Sequence, residues 1–263
     1  MTTTGGGNCT DDRYNISSVF HRNDRSRGRS DQGAHLTKTS SVLLLGATGL
    51  VGSECLRLLL SDPHYERVVV LTRRPLPTVQ RTATGAGKLM EQVIDFDEIA
   101  LHAQLTQVDQ VICALGTTIR KAGSRERFRQ VDFGYPLEIA RLANERGASH
   151  FLLVSAIGAN AGSRFFYNRV KGELEVAVTA LPYRSVTIVR PSLLVGKREE
   201  LRLGEWIAER FSFLVPRSYK PVEASAVAAA LIQEGREDRE GTRIIDSDRM
   251  LRLAHQYRVA SET

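Results

Sequence analysis

From residue 42 onward the chain alternates short runs of consecutive apolar residues with longer stretches in which apolar side chains recur every three or four positions. Residues 42–45 (VLLL), 67–71 (RVVVL), 92–96, 110–115 (QVICAL), 150–154 (HFLLV) and 184–189 are of the first kind. Runs this short and this uniformly apolar predict strands buried on both faces. The second kind predicts helices. Residues 49–60 place Val51, Cys55, Leu58 and Leu59 on one face, and a long helical pattern covers 125–146, where Pro136 either kinks the helix or starts a second one. Gly147 closes that pattern. After the fifth strand, Phe166, Val170, Leu174 and Val178 form the apolar stripe of a further helix. Past residue 191 the alternation weakens. Short helices are predicted at 204–211 and 222–233, and a late strand at 242–245. Strand–helix alternation with right-handed crossovers gives an α/β fold: a doubly wound, mostly parallel sheet (Rossmann-like) with a small C-terminal cap. Residues 41–263 are expected to form this one domain, with the cap made mainly by 192–240.

The first forty residues break the pattern. They are rich in Gly, Ser, Thr, Asp and Arg and carry almost no apolar periodicity, so residues 1–40 are expected to be a disordered extension. They lack the apolar core of a secretory signal, and four Asp residues argue against a transit peptide. Three cysteines, Cys9, Cys55 and Cys113, exclude a disulfide framework or a zinc site and fit a reducing compartment, so a cytoplasmic location is expected. Nowhere does an apolar run approach the ~20 residues that cross a bilayer, so no membrane insertion is expected. The formal net charge of +6 favours an anionic ligand; without an aromatic-interleaved basic stripe, a nucleotide is expected and a nucleic acid is not.

The chemistry concentrates at strand ends. "VLLLGATGLVG" joins the first strand to the first helix with Gly46, Gly49 and Gly52 in G-x-x-G-x-x-G spacing. Such a loop turns tightly, lets backbone approach a ligand and opens a helix whose free N–H groups favour a pyrophosphate. Gly46, Thr48, Gly49, Leu50, Val51 and Gly52 are therefore candidate cofactor contacts. About twenty residues further on, an NAD-binding chain usually carries a carboxylate for the ribose 2′-hydroxyl. Here Thr72 is followed by Arg73 and Arg74, which suit a 2′-phosphate, so NADP(H) is expected in preference to NAD(H). "TGAGKL" at 84–89 mimics part of a P-loop, but Thr82 and Leu89 stand where the first glycine and the magnesium-binding hydroxyl belong, and no strand precedes it. Finally, Tyr167 and Lys171 are four apart on one helical face, and Ser155 lies just past the fifth strand, on the sheet edge where the glycine loop opens.

The glycine loop, the Ser155…Tyr167-x-x-x-Lys171 set and the strand order resemble the short-chain dehydrogenases/reductases, of the atypical kind. Within them, "CALGTTIRKAG", "FLLVSAIGA", "FFYNRVKGELE", "IVRPSLLVGKREE" and "GEWIAERF" are similar to the Tat-interacting-protein-like, NADPH-binding oxidoreductases. The resemblance implies a catalytic set: Tyr167 as proton donor to a small carbonyl substrate, Lys171 as the cation that favours the phenolate and holds the nicotinamide ribose, Ser155 as the group orienting the substrate oxygen. It also implies that Asp95 meets the adenine amino group and Phe96 its ring edge, that Leu115, Gly116 and Thr117 lie beside the cofactor, and that Pro191 borders the carboxamide. Plainer roles stay open: Ser155 satisfying a strand-end carbonyl, Asp95 capping the next helix, Ser163 serving as an N-cap, Gly116 as a turn residue, Cys113 as core. Two functions from different classes fit: an NADPH-dependent reductase, or a non-enzymatic NADPH-binding protein that meets a protein partner through its cap and residues 117–129. Sugar-nucleotide epimerisation uses the same triad but normally needs a larger C-terminal domain. A homodimer is compatible with either.

Overall fold

The computed structural model describes residues 39–195 and 221–262. Seven parallel strands form the main sheet in the order β3-β2-β1-β4-β5-β6-β9: β1 Ser40–Leu45, β2 Tyr65–Thr72, β3 Leu89–Val93, β4 Gln110–Cys113, β5 His150–Val154, β6 Ser185–Val189 and β9 Gly241–Ile245. A separate two-residue pairing joins β7 (Leu194–Val195) to β8 (Val222–Glu223). The doubly wound α/β fold is thus present. Its order reverses at β1, which has β2 on one side and β4 on the other. A crevice opens there, past the carboxyl ends of β1 and β4.

The central strands are mostly apolar because both faces are covered, with buried polar residues such as Ser41, Gln110 and His150 at their amino ends. On one face Val42, Leu44, Val68, Val70 and Ile112 pack with α1 (Leu50–Ser61), with Ala224–Glu237, and with Ser247–Glu262. On the other, Leu43, Leu45, Val69, Val111 and Leu153 pack with the 3-10 segment Phe96–Thr106, with Tyr135–Glu145, and with Phe166–Thr179. The short helices are α2 Thr78–Arg81, α3 Ile119–Ala122 and α4 Arg125–Arg129, so the longer ones are α5 Tyr135–Glu145, α6 Phe166–Thr179, α7 Ala224–Glu237 and α8 Ser247–Glu262. Polar contacts at the amino end of the sheet tie down the C-terminal helices. The Tyr65 hydroxyl donates to Gln110, whose amide donates to the Gly235 carbonyl at 2.8 Å, and the Tyr257 hydroxyl donates to Asp62.

Several expectations are refined. The strand expected at 92–96 runs Leu89–Val93, and Phe96 instead begins the 3-10 segment, because the Asp95 side chain accepts from the Asp97 N–H and caps it. The long helix is divided: α4 passes through a π turn, Gln130–Gly134, into α5, with Pro136 in its first turn. A proline lacks the N–H that an uninterrupted α-helix needs, and the wider turn absorbs this. Gly147 follows at φ +94°. Helix α8 has no counterpart in the predicted elements. Of the stretch 192–240 expected to form a cap, residues 196–220 lie outside the described residues, including the helix expected at 204–211. Residues 224–237 are α7, packed against the core. The expected extension at 1–40 also lies outside them, save its last two residues.

Candidate dinucleotide and catalytic site

A cleft of about 630 Å³ occupies the switch point. Its floor is the loop after β1. Gly46 turns with φ +80°, and a Cβ there would stand 2.4 Å from the Ala114 carbonyl oxygen; a Cβ on Gly52 would stand 2.0 Å from the Gly46 oxygen. Only glycine lets the loop fold this tightly onto its own helix and onto β4. Helix α1 begins at Leu50, with Gly49 as its N-cap, and has neither a side-chain cap nor an acidic residue in its first turn. Its free N–H groups and positive dipole end are left for an anion. Gly46, Thr48, Gly49, Leu50 and Val51 line the cleft, while Gly52 lies beneath, as a packing residue.

At one end, Leu71, Thr72, Arg73 and Phe96 form the wall. Arg73 makes no ion pair or hydrogen bond among the described residues, whereas Arg74, although exposed, is not part of the lining. Phe96 packs against Tyr135, ring centroids 5.4 Å apart. The Tyr135 hydroxyl donates to Asp97, and Arg127 lies over the Tyr135 ring. Asp95 is committed to its cap and does not line the cleft.

At the other end, β5 delivers Ser155. Its backbone N–H donates to the Val189 carbonyl at 2.8 Å, while its buried Oγ has no hydrogen-bond partner. The Ser155 hydroxyl thus stands buried at the cleft without a hydrogen-bond partner among the described residues. Pro191 is buried outside the lining, its carbonyl accepting from Ile157 and holding the turn after Ser155. Ser163 accepts from the Phe165 N–H, and the N-cap of α6 is Phe165. Tyr167, 38% exposed, and Lys171, buried, sit one helical turn apart on α6 and both face the cleft, with Leu115, Gly116 and Thr117 beside them.

The sequence alone did not flag Asp132. It lies in the π turn, fully buried, with Oδ1 2.8 Å from Lys171 Nζ and Oδ2 accepting from the Thr117 N–H at 2.9 Å. Burial draws the Lys171 ammonium down, but the Asp132 carboxylate beside it pulls it up, and Lys171 is held above its ordinary value. Cys113 lies in the core beneath, where burial pushes its thiol up to about 11. The other unforeseen lining residues, among them Lys121, Arg127 and Tyr135, come from segments with no motif of their own. Of the residues lining the cleft, four are cationic, Arg73, Lys121, Arg127 and Lys171, and one, Asp132, is a carboxylate; Lys171 pairs with Asp132 and Arg127 with Asp97.

Fold and cleft together define a protein built to hold a nicotinamide dinucleotide. The comparisons agree. The NAD(P)H-binding family model matches residues 46–203, and the chain belongs to that family, as an atypical short-chain dehydrogenase/reductase-like member. Relatives include Protein HTATIP2 of Rattus norvegicus, 36% identical over 69% of this chain and 74% of its own length. Another is the mitochondrial protein FMP52 of Candida albicans, 34% identical over 82% of this chain and 98% of its own. Among solved structures, a UDP-N-acetylglucosamine 4-epimerase from Methanobrevibacter ruminantium superposes with TM-score 0.62 at 14% identity, over 86% of this chain and 83% of that one. MoeE5 in complex with UDP-glucose and NAD superposes with TM-score 0.59 at 17%, over 82% and 81%. At such identities these two structures speak for the fold alone.

One expectation is overturned. The cytoplasmic location is contradicted by FMP52 relatives from Candida albicans, Lodderomyces elongisporus and Emericella nidulans, all named mitochondrial. Sparse cysteines separate reducing from oxidising compartments, and do not tell one reducing compartment from another. Among the described residues no helix is long and apolar enough to cross a membrane.

Proposed function

We propose that the protein is an NADP(H)-dependent oxidoreductase that reduces a small carbonyl compound. The observation that carries this is the convergence, in one cleft, of the glycine loop with Tyr167, Lys171 and the unpartnered Ser155 hydroxyl. The residues fit the cofactor: the uncapped start of α1 would hold the pyrophosphate, Arg73 the 2′-phosphate, Phe96 the adenine edge, and Lys171 the nicotinamide ribose. The excess of cations lining the cleft favours the more highly charged NADP(H). Bound in reduced form, the cofactor supplies the hydride.

The chain's own groups do the rest. Ser155 Oγ donates to the carbonyl oxygen and fixes its position. Tyr167 gives its hydroxyl proton to that oxygen as negative charge develops there. The Lys171 ammonium stabilises the phenolate left behind. Phe128, buried with its ring centroid 5.7 Å from that of Tyr167, backs the phenol. Mitochondria, for which the fungal relatives are named, are the natural place to seek the substrate.

The test is Tyr167→Phe against a panel of carbonyls and quinones. Loss of at least about a hundredfold in turnover with NADPH affinity retained is expected; unchanged turnover refutes the assignment. Tight NADPH binding with silence across the whole panel would support the second class of function, a dinucleotide-responsive protein acting through a partner.

A further inference from the structure

We propose that the substrate of this cleft carries an anionic group, a carboxylate or a phosphate, on an apolar body, and that Arg125 and Arg164 receive that group beside Tyr167. The inference rests on the oxidoreductase reading for treating the ligand as a substrate, and on the charges around the cleft for its class.

Two stretches of chain carry both the lining and the charges. Thr118, Lys121 and Ala122 line the cleft from the start of α3, and Tyr167 lines it from α6. The same stretches hold Arg120, Arg125 and Arg164, all exposed. They meet in space. The Arg125 guanidinium, in the first turn of α4, lies over the Phe166 ring, 5.2 Å from its centroid. Phe128 of α4 packs on both Phe166 and Tyr167, with centroids 5.6 and 5.7 Å apart. Arg125 therefore covers the ring next in sequence to the phenol, and Arg164 stands just ahead of Phe165, the N-cap of the same helix.

The carboxylates of this region are committed to other groups. Asp97 pairs with Arg127, Asp132 with Lys171, and Glu173 with Arg129 and Arg169. Glu126 is held below its ordinary value chiefly by its own backbone N–H and by Ser124, with Arg125 the least of the causes. Arg120, Arg125 and Arg164 make no ion pair among the described residues. Cations left without a protein carboxylate raise the local concentration of anions and steer them inward. A guanidinium stacked on an aromatic face still has its N–H edge for a carboxylate or phosphate. Apolar surface adjoins these charges: Phe165, next to Arg164, is 76% exposed, and Ile119, next to Arg120, is 42% exposed. An apolar body with a charged end uses both features, whereas a small neutral carbonyl compound uses neither. The cofactor has anion sites of its own at the start of α1 and at Arg73, so it leaves these arginines to the second ligand.

The experiment compares two acids, 4-formylbenzoate and levulinate, with their methyl esters, which keep the carbonyl and lose the charge. The first readout needs no turnover: calorimetric titration of each compound into the full chain loaded with NADP+. At about 0.05 M salt at least one acid is expected to bind about fivefold or more tighter than its ester. That ratio should fall in Arg125→Ala and Arg164→Ala, persist in Arg125→Lys, and erode at about 0.5 M salt. Arg146→Ala, which removes an exposed charge at the end of α5, controls for net charge and should leave the ratio in place. No preference for either acid, or a preference that survives the Arg125→Ala/Arg164→Ala double variant, would overturn the proposal. The second readout is NADPH oxidation with the same compounds. Acid preference in binding without turnover of any of them counts against the oxidoreductase reading and leaves the anion site standing. Turnover of acids and esters at equal kcat/KM sinks the anion site and leaves the oxidoreductase reading intact.

Discussion

Replacing Arg73 with Ala should convert a preference between two nearly identical cofactors into near-indifference. Arg73 lines the cleft at the end of β2, is exposed, and has no ion-pair partner among the described residues. Its removal therefore orphans no carboxylate and should leave stability within about 0.5 kcal/mol of wild type. The guanidinium's attraction for a phosphate follows from Coulomb's law. Two unit charges 4 Å apart interact by about 1 kcal/mol in bulk water and about 4 kcal/mol at an effective dielectric of 20. Because Arg73 is open to solvent, the lower part of that range applies, and about 1–2.5 kcal/mol is expected. At 1.4 kcal/mol per decade this weakens NADPH by about 5- to 60-fold. NADH lacks the 2′-phosphate and should change little. Fluorescence titration of each cofactor into wild type, Arg73→Ala and Arg74→Ala measures this. Arg74 lies outside the cleft lining and serves as an internal control of equal charge. Raising the salt from about 0.05 to 0.5 M should erode the wild-type preference, since an exposed charge is screened. Equal loss of NADPH and NADH in Arg73→Ala, or a larger effect from Arg74→Ala, would refute the assignment of the 2′-phosphate to Arg73. Tighter NADH than NADPH in the wild type would refute the NADP(H) preference itself.

Two further outcomes are expected. Ser155→Ala removes a buried hydroxyl that makes no hydrogen bond within the described chain, so it should leave the melting temperature unchanged or slightly raised while lowering kcat about tenfold or more; a clear drop in melting temperature would instead make the serine structural. His150 is buried between Thr187 and Asp238, and burial holds it below its ordinary value against the pull of Asp238. Its folded form binds a proton less readily than its unfolded form, so its contribution is complete above about pH 6.5 and is lost as pH falls from there through its own depressed value. His64 is depressed by burial in the same sense. Chemical denaturation between pH 8 and 5 should show this decline, and His150→Gln should flatten it; parallel slopes in the two proteins would count against the linkage.

The sequence determined the frame because burial leaves a periodic mark. Strands covered on both faces are mostly apolar along their length, and the apolar runs in β1, β2, β4, β5 and β6 are legible for that reason. The glycine loop was legible because close backbone contacts, such as Gly46 against Ala114, exclude every other residue type. Tyr167 and Lys171 could be paired from spacing, since a single helix fixes their relation. β3 was misplaced by three residues because it is an edge strand of mixed burial, and its alternation resembles a loop. Helix α8 passed unseen because most of its residues are polar and its few anchors, Met250, Leu253, Ala254 and Tyr257, are apolar only on the side that meets α7.

What only the tertiary structure decided are the relations between segments distant along the chain. The sequence offers Asp132 and Lys171 on separate helical stretches with nothing to link them, and a π turn brings their charges to 2.8 Å. Neighbouring arginines 73 and 74 are chemically the same, and only the path of the chain after β2 sets one against the cleft and the other away from it. Only the structure shows that the Ser155 hydroxyl is buried and without a hydrogen-bond partner among the described residues. Periodicity records which face of an element is dry. Which polar atoms meet across that dry space depends on register and helix phase, and those are set by packing among elements far apart in the chain.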